Sequence, residues 1–282
     1  MRHSARYGVT GPLILAALYL GGCAEQGSGA AAHDDAMPGS AATNFAESMT
    51  GARRPAAPPA KPVSISEKTD LLEFGFSYPS AVASVPAIAK HLDADMRRSR
   101  QDALTMAGED KAAAAKADYP FRPHSLETEW SVAADTPRLL SLRSQTYVFT
   151  GGAHGMTGYA ALLWDKQRQR EISFSAMMTA PSAFAAAIRD RFCAGLDAER
   201  AEKRGAPVER GDDDFTKCID PMKEVLVPTS ADGRRIGSLT VVIAPYSAGP
   251  YAEGSYEVEL PVDAAMLKAI KPEYHSAFAG GD

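Results

Sequence analysis

Apolar positions recur along residues 63–280 with two periods. In residues 125–133, Leu126, Thr128, Trp130 and Val132 alternate with Glu127, Glu129 and Ser131, the period-two pattern of a half-buried strand. Residues 139–150 read the same way, with Leu140, Leu142, Tyr147 and Phe149, and residues 159–164, 171–174, 236–244 and 255–260 add further strand-like segments. An earlier strand over 69–78 stops at Pro79. Between these strands the period lengthens. Ser84 and Pro86 mark a helix start, Val85, Ile88, Leu92 and Met96 keep three-to-four spacing, and helical composition runs on to about residue 117 with an interruption at Gly108. Lys90, Asp93, Arg97 and Arg100 on its other side read as a solvated face. A second helix begins near Pro181, where Phe184, Ile188, Phe192 and Leu196 recur every four residues, and a short one covers 262–270 between Pro261 and Pro272. Runs of antiparallel strands with helices between runs predict an α+β fold, one or more antiparallel sheets packed with two or three helices.

The first 62 residues follow neither period. Arg2, His3 and Arg6 precede an uncharged apolar run over 12–20, too short for a bilayer span of about 20 residues but suited to a secretory leader. It ends at Leu20-Gly21-Gly22-Cys23, which resembles the bacterial lipoprotein box, where a cysteine thiol receives lipid such as palmitate. The expectation is a signal peptide over 1–22 and a lipid on Cys23 that attaches the chain to a membrane, facing the periplasm of the cell envelope. No aspartate follows the cysteine, which by the same resemblance favours the outer membrane over the inner. An ordinary leader with a chance cysteine is the alternative. Of residues 24–62, 24 are Ala, Gly, Pro or Ser. Such a segment buries too little apolar surface to offset its ordering entropy and reads as a tether.

Composition narrows the function. The 282 residues carry 30 Lys and Arg against 35 Asp and Glu, net charge −5, which argues against nucleic acid as a partner. Mean hydropathy of −0.21 excludes a polytopic membrane protein. With Cys23 lipidated, Cys193 and Cys218 are the remaining thiols, and in an oxidising compartment a disulfide between them is expected, with two separate thiols as the alternative. The loop it closes, with its run Asp212-Asp213-Asp214, reads as poorly structured.

The common chemical motifs are missing. Histidines at 3, 33, 91, 124, 154 and 275 lack the spacing of zinc hydrolases, so no metal, cofactor or catalytic set is assigned. Pro245-Tyr246-Ser247-Ala248-Gly249 approaches a nucleophile elbow, but Pro245 replaces the first glycine and a strand follows where the elbow needs a helix. Two loops stand out instead. One is Gly151-Gly152-Ala153-His154-Gly155, where glycines around one histidine permit positive φ at a strand end. The other, over 244–256, holds Tyr246, Tyr251 and Glu253 between glycines. Both read either as hairpin connections with inward aromatics or as ligand contacts through Gly151, Gly152, His154, Gly155, Tyr246, Tyr251 and Glu253.

At these residues the chain resembles bacterial envelope domains of unknown function. They occur beside the catalytic domain of some peptidoglycan deacetylases and as the outer domain of a lysozyme-responsive anti-sigma factor. The resemblance rests on Gly-Gly-Ala-His at 151–154, Ala-Pro-Tyr-x-x-Gly at 244–249, Tyr256-Glu-Val and Leu260-Pro261. It implies an N-terminal deacetylase-associated half over 63–160 and a companion half over 161–282, packed as one unit. Neither a deacetylase catalytic domain nor an anti-sigma segment is recognised, so the resemblance implies a fold and an envelope setting, not an activity. The expectation is a lipoprotein displaying a binding or sensing module for cell-wall glycan or a wall-acting protein such as lysozyme. The alternatives are a hydrolase of envelope polymers using His154 as general base with Glu253, and a purely structural lipoprotein.

Overall fold

The structure, a computed structural model, describes residues 60–280. The leader, Cys23 and the tether up to residue 59 lie outside the described residues. The fold is α+β, with a six-stranded and a three-stranded sheet.

The first sheet holds β1 (Val63–Lys68), β2 (Leu72–Tyr78), β3 (His124–Asp135), β4 (Leu139–Phe149), β5 (Met156–Asp165) and β6 (Arg170–Ile172), side by side in chain order. β1 escapes the sequence pattern because only Val63 and Ile65 carry its apolar alternation. Most neighbours are antiparallel, but β2 and β3 run parallel, Leu72 opposite His124 and Ser77 opposite Glu129. This departs from the expected antiparallel run. A one-turn helix α1 (Ser80–Ala83) and the 31-residue helix α2 (Pro86–Lys116) carry the chain back to the starting end of β2, and such a crossover forces parallel pairing. Gly108 does not interrupt α2: one interior glycine costs about 1 kcal/mol relative to alanine, too little to break a helix held along its length. Nor is its charged side merely solvated. Tyr78 Oη donates to Asp93 Oδ1 at 3.0 Å and Arg100 Nε donates to Glu67 Oε2 at 2.9 Å, binding the helix to β2 and β1.

The two faces of β4 serve two cores, which explains its unbroken Leu-Leu-Ser-Leu start. Leu140 and Leu142 join Leu72, Phe74, Leu162 and Trp164 beneath Ile88 and Leu92 of α2. Leu139, pointing the other way, joins the second core. That core is built on helix α3 (Pro181–Arg204) and on β7 (Val225–Thr229), β8 (Ser238–Ile243) and β9 (Tyr256–Pro261), an antiparallel sheet in chain order. Phe184, Ile188, Phe192 and Leu196 of α3 are fully buried against Val241, Ile243 and Val258. Gly195 lets β9 approach the helix, since a Cβ there would lie 2.6 Å from Val258 Cγ1. β7 hides from the sequence pattern behind Pro228, which is tolerated because β7 is an edge strand. A short helix α4 (Ala264–Lys268), capped by Asp263, follows β9. Residue 160, the expected division between halves, lies inside β5, so the first sheet continues past it.

Cys193 of α3 and Cys218 form a disulfide, their Cα atoms 5.4 Å apart. No helix among the described residues is long and apolar enough to cross a membrane.

Candidate functional site

The loop 151–155 joins β4 to β5 and turns on Gly151 (φ 98°) and Gly152 (φ 81°), a conformation that favours glycine at both positions. Gly155 is buried beneath the ring of Tyr147 from β4, where a Cβ would sit 2.4 Å from Cζ. With its neighbours so placed, His154 stands exposed at the tip. Its Nδ1 lies 2.9 Å from the carbonyl oxygen of Gly155, which can only accept, so this nitrogen donates and Nε2 faces outward.

The second loop brings its aromatics to the same place. Tyr251 opens a single 3₁₀ turn (Tyr251–Glu253) and its ring stacks on the His154 imidazole, centroids 3.7 Å apart and planes 18° from parallel. Tyr246 lies beside both, 5.6 Å from Tyr251 between centroids, with Oη 3.4 Å from His154 Nε2. Tyr246 holds φ 70°, an uncommon backbone state for a bulky residue, while 47% of its surface is exposed. The two loops therefore meet, and their three rings form one patch open to solvent.

Glu253 does not join that patch. Both of its oxygens accept from Arg204, Nε and Nη2 each at 2.9 Å, and Tyr256 Oη also donates to it. Arg204 holds its carboxyl below the usual carboxylate range, while burial, reinforced by Glu253, pushes the Tyr256 phenol up to about 12. Committed to these partners, Glu253 is a clamp within the second loop, and the acid–base pair expected of His154 and Glu253 is not assembled. Gly249 completes the clamp: a Cβ there would lie 2.4 Å from Glu253 Oε2. Ser247 sits in a turn between two strands, without the strand-to-helix geometry of an elbow.

Arg200 was not among the expected site residues, yet it shapes the second loop. Its side chain is fully buried, with Nε donating to the carbonyl of Ala248 at 2.9 Å and Nη1 to those of Thr216 and Lys217 at 3.2 and 3.0 Å. Burial, together with the neighbouring Arg204, pulls its pKa down. A signal for it exists in the sequence, since the four-residue stripe of α3 continues past Leu196 onto Arg200 and Arg204. A charged residue in register with an apolar stripe marks a buried ionic contact.

Further bonds join the two sheets beside the patch. Tyr159 Oη of β5 donates to Ser255 Oγ at 2.8 Å, and Arg143 of β4 stacks over the Tyr159 ring while Nη1 donates to Glu257 of β9 at 2.8 Å. Tyr147 also lines a polar trough of about 250 Å³ on the first sheet, with Gly75, Ser77, Glu127, Glu129 and Gln145. Glu127 and Glu129 are exposed there. Through Tyr147 the trough adjoins the histidine loop.

No curated protein matches the chain. Among solved structures it is similar to a DUF3298 family protein from Pseudomonas aeruginosa, 18% identical over 79% of this chain and 98% of that one, with a TM-score of 0.48. A DUF3298 family member from Bacteroides fragilis, also 18% identical, is covered to 92% against 74% of this chain, with a TM-score of 0.46. Residues 65–157, which run from β1 through the Gly-Gly-Ala-His loop, match the family model described as Deacetylase PdaC.

Proposed function

We propose that the chain is an envelope lipoprotein, anchored through Cys23, whose body binds cell-wall glycan on the patch of His154, Tyr246 and Tyr251. The observation that carries this reading is the assembly of three rings from two distant loops at the surface. Isolated aromatics gain from burial, so a stack left facing water offers flat apolar area to a ligand with flat apolar faces. The C–H faces of a pyranose ring are of that kind, and its hydroxyls would find acceptors and donors in Gln145, Ser77 and the carboxylates of the trough. The left-handed backbone of Tyr246 fits a loop shaped for contact, because strain of this sort collects at ligand sites.

Retention on purified peptidoglycan tests the reading. The protein is expected to be retained, and Tyr251→Ala to weaken binding by about tenfold, the loss of one stacking surface of roughly 1.4 kcal/mol. Absence of retention by the wild type would overturn it. Glu127 and Glu129, exposed in the trough, favour a second reading in which the partner is a basic wall-acting protein such as lysozyme. Capture by immobilised lysozyme that falls with salt, and falls further in Glu127→Gln/Glu129→Gln, would select it over the glycan.

A further inference from the structure

Roughly 20 Å back along β4 from Tyr147, at about 3.4 Å per residue, the same sheet face carries a different opening. It is a cleft of about 520 Å³ between β4–β6 and β7, within the range of small-molecule sites. Its walls include Leu163, Phe174 and Leu226, and its charged lining residues are Glu171 and Glu224 alone.

Ser141 gives the cleft a polar floor. Its neighbours Leu140 and Leu142 point into the core beneath α2, so its own side chain points to the opposite face, across from Leu163 of β5. Ser141 is 1% exposed, and its Oγ has no hydrogen-bond partner among the described residues. A buried hydroxyl without a partner has given up its hydrogen bonds to water and gained none in return. Glu224 stands half-buried at the rim: burial, then the neighbouring Asp220, push its carboxyl up, and among the described residues no ion pair offsets them. Glu171 differs, since His91 Nδ1 lies 3.1 Å from its Oε2.

We propose that this cleft binds a small organic ammonium ion, its charged nitrogen at Glu224 and Ser141 Oγ and its apolar tail against Leu163, Phe174 and Leu226. An ammonium group has three donors and no acceptor, which matches a hydroxyl oxygen and a carboxylate that both lack donors. An anion would meet two carboxylates. An uncharged apolar molecule would bury Ser141 and Glu224 without satisfying them, and an inorganic cation would leave the apolar walls uncovered. This inference does not depend on the glycan reading.

Titration calorimetry of the whole protein with hexylammonium chloride tests it, with hexanol, sodium hexanoate and calcium chloride as comparison ligands. Saturable binding of hexylammonium alone is expected. Glu224→Gln and Ser141→Ala should each weaken it by about tenfold, the loss of an ion pair and of a charge-assisted hydrogen bond. Glu224→Gln removes a half-buried charge, so folding, followed by circular dichroism, is expected to persist. Ala161→Phe, on the cleft wall, should block hexylammonium while leaving retention on peptidoglycan unchanged. Absence of saturation, equal binding of any comparison ligand, or wild-type affinity in Glu224→Gln would overturn the proposal. Failure on peptidoglycan with hexylammonium bound would instead count against the aromatic patch alone.

Discussion

Asp165→Asn is expected to lower the stability of the fold by about 3–5 kcal/mol, seen as a fall in the midpoint of urea unfolding at neutral pH. Asp165 closes β5 and is fully buried. Oδ1 accepts from Arg138 Nε at 3.1 Å and from the backbone N–H groups of Gln167 and Arg168, both at 3.0 Å. Oδ2 accepts from Arg138 Nη2 at 3.0 Å and Arg168 Nη1 at 2.9 Å. An asparagine keeps the shape but turns one acceptor into a donor facing these same donors, leaves Arg138 without its anion and leaves Arg168 only Glu273, 3.2 Å away. The damage extends further, because both guanidinium groups lie 5.1 Å over the ring of Tyr274 and Arg168 Nη1 donates to Tyr274 Oη at 2.8 Å. Through that ring Asp165 joins the first sheet to the C-terminal segment.

Acid should erase the difference. Burial alone would raise the Asp165 carboxyl, but hydrogen bonds from the Arg168 backbone and from the Arg138 and Arg168 side chains outweigh it and hold the group below its ordinary 3.8. A carboxyl depressed in the folded state contributes fully above its unfolded value, and that contribution is lost as pH falls through the folded one. The gap between wild type and Asp165→Asn should therefore be full at pH 7 and narrow below about pH 4. A difference under about 1 kcal/mol at pH 7 would show that the network is dispensable.

The double variant Cys193→Ser/Cys218→Ser is expected to lose about 3.5 kcal/mol, the chain entropy released by opening a loop of this length. In thermal unfolding that corresponds to a drop of roughly 7–14 °C for a domain of this size. A second effect should accompany it. Thr216 and Lys217, whose carbonyls hold Arg200, immediately precede Cys218, and the same guanidinium holds Ala248 in the loop of Tyr246 and Tyr251. Releasing Cys218 loosens two acceptors of a fully buried cation and, through it, the aromatic loop. Retention on peptidoglycan should then fall in the double variant at temperatures where it is still folded. Unchanged retention would show that the loop keeps its shape without the disulfide.

How much was legible in advance follows from what each pattern encodes. Periods of two and of three to four report which side of a local element meets apolar neighbours. They therefore located β3, β4, α2 and α3 closely, while β1 and β7 carried too few apolar residues, or a proline, to register. The same periods say nothing about which strand lies beside which, so the parallel pairing of β2 and β3 awaited the path of α2. The two loops are conspicuous by their glycines and aromatics. His154, Tyr246 and Tyr251 converge, Gly151, Gly152 and Gly155 shape the turn, and Glu253 faces inward to Arg204. The inward turn of Glu253 was invisible because its partner lies on another element, and Arg200, though in register with its helix stripe, is read as buried only once the stripe is followed past its last apolar residue.

From the order of residues alone come the α+β class, the two main helices, the expectation that Cys193 pairs with Cys218 once Cys23 is set aside, and the two unusual loops. All are set by local periodicity, turn chemistry or the count of cysteines. Tertiary structure decided that loops 92 residues apart share one surface, that Glu253 is spent on a clamp, and that Ser141 floors a cleft with Glu224 at its rim. Those outcomes depend on how two sheets pack across β4, and contacts between distant residues arise from that packing rather than from any repeat along the chain.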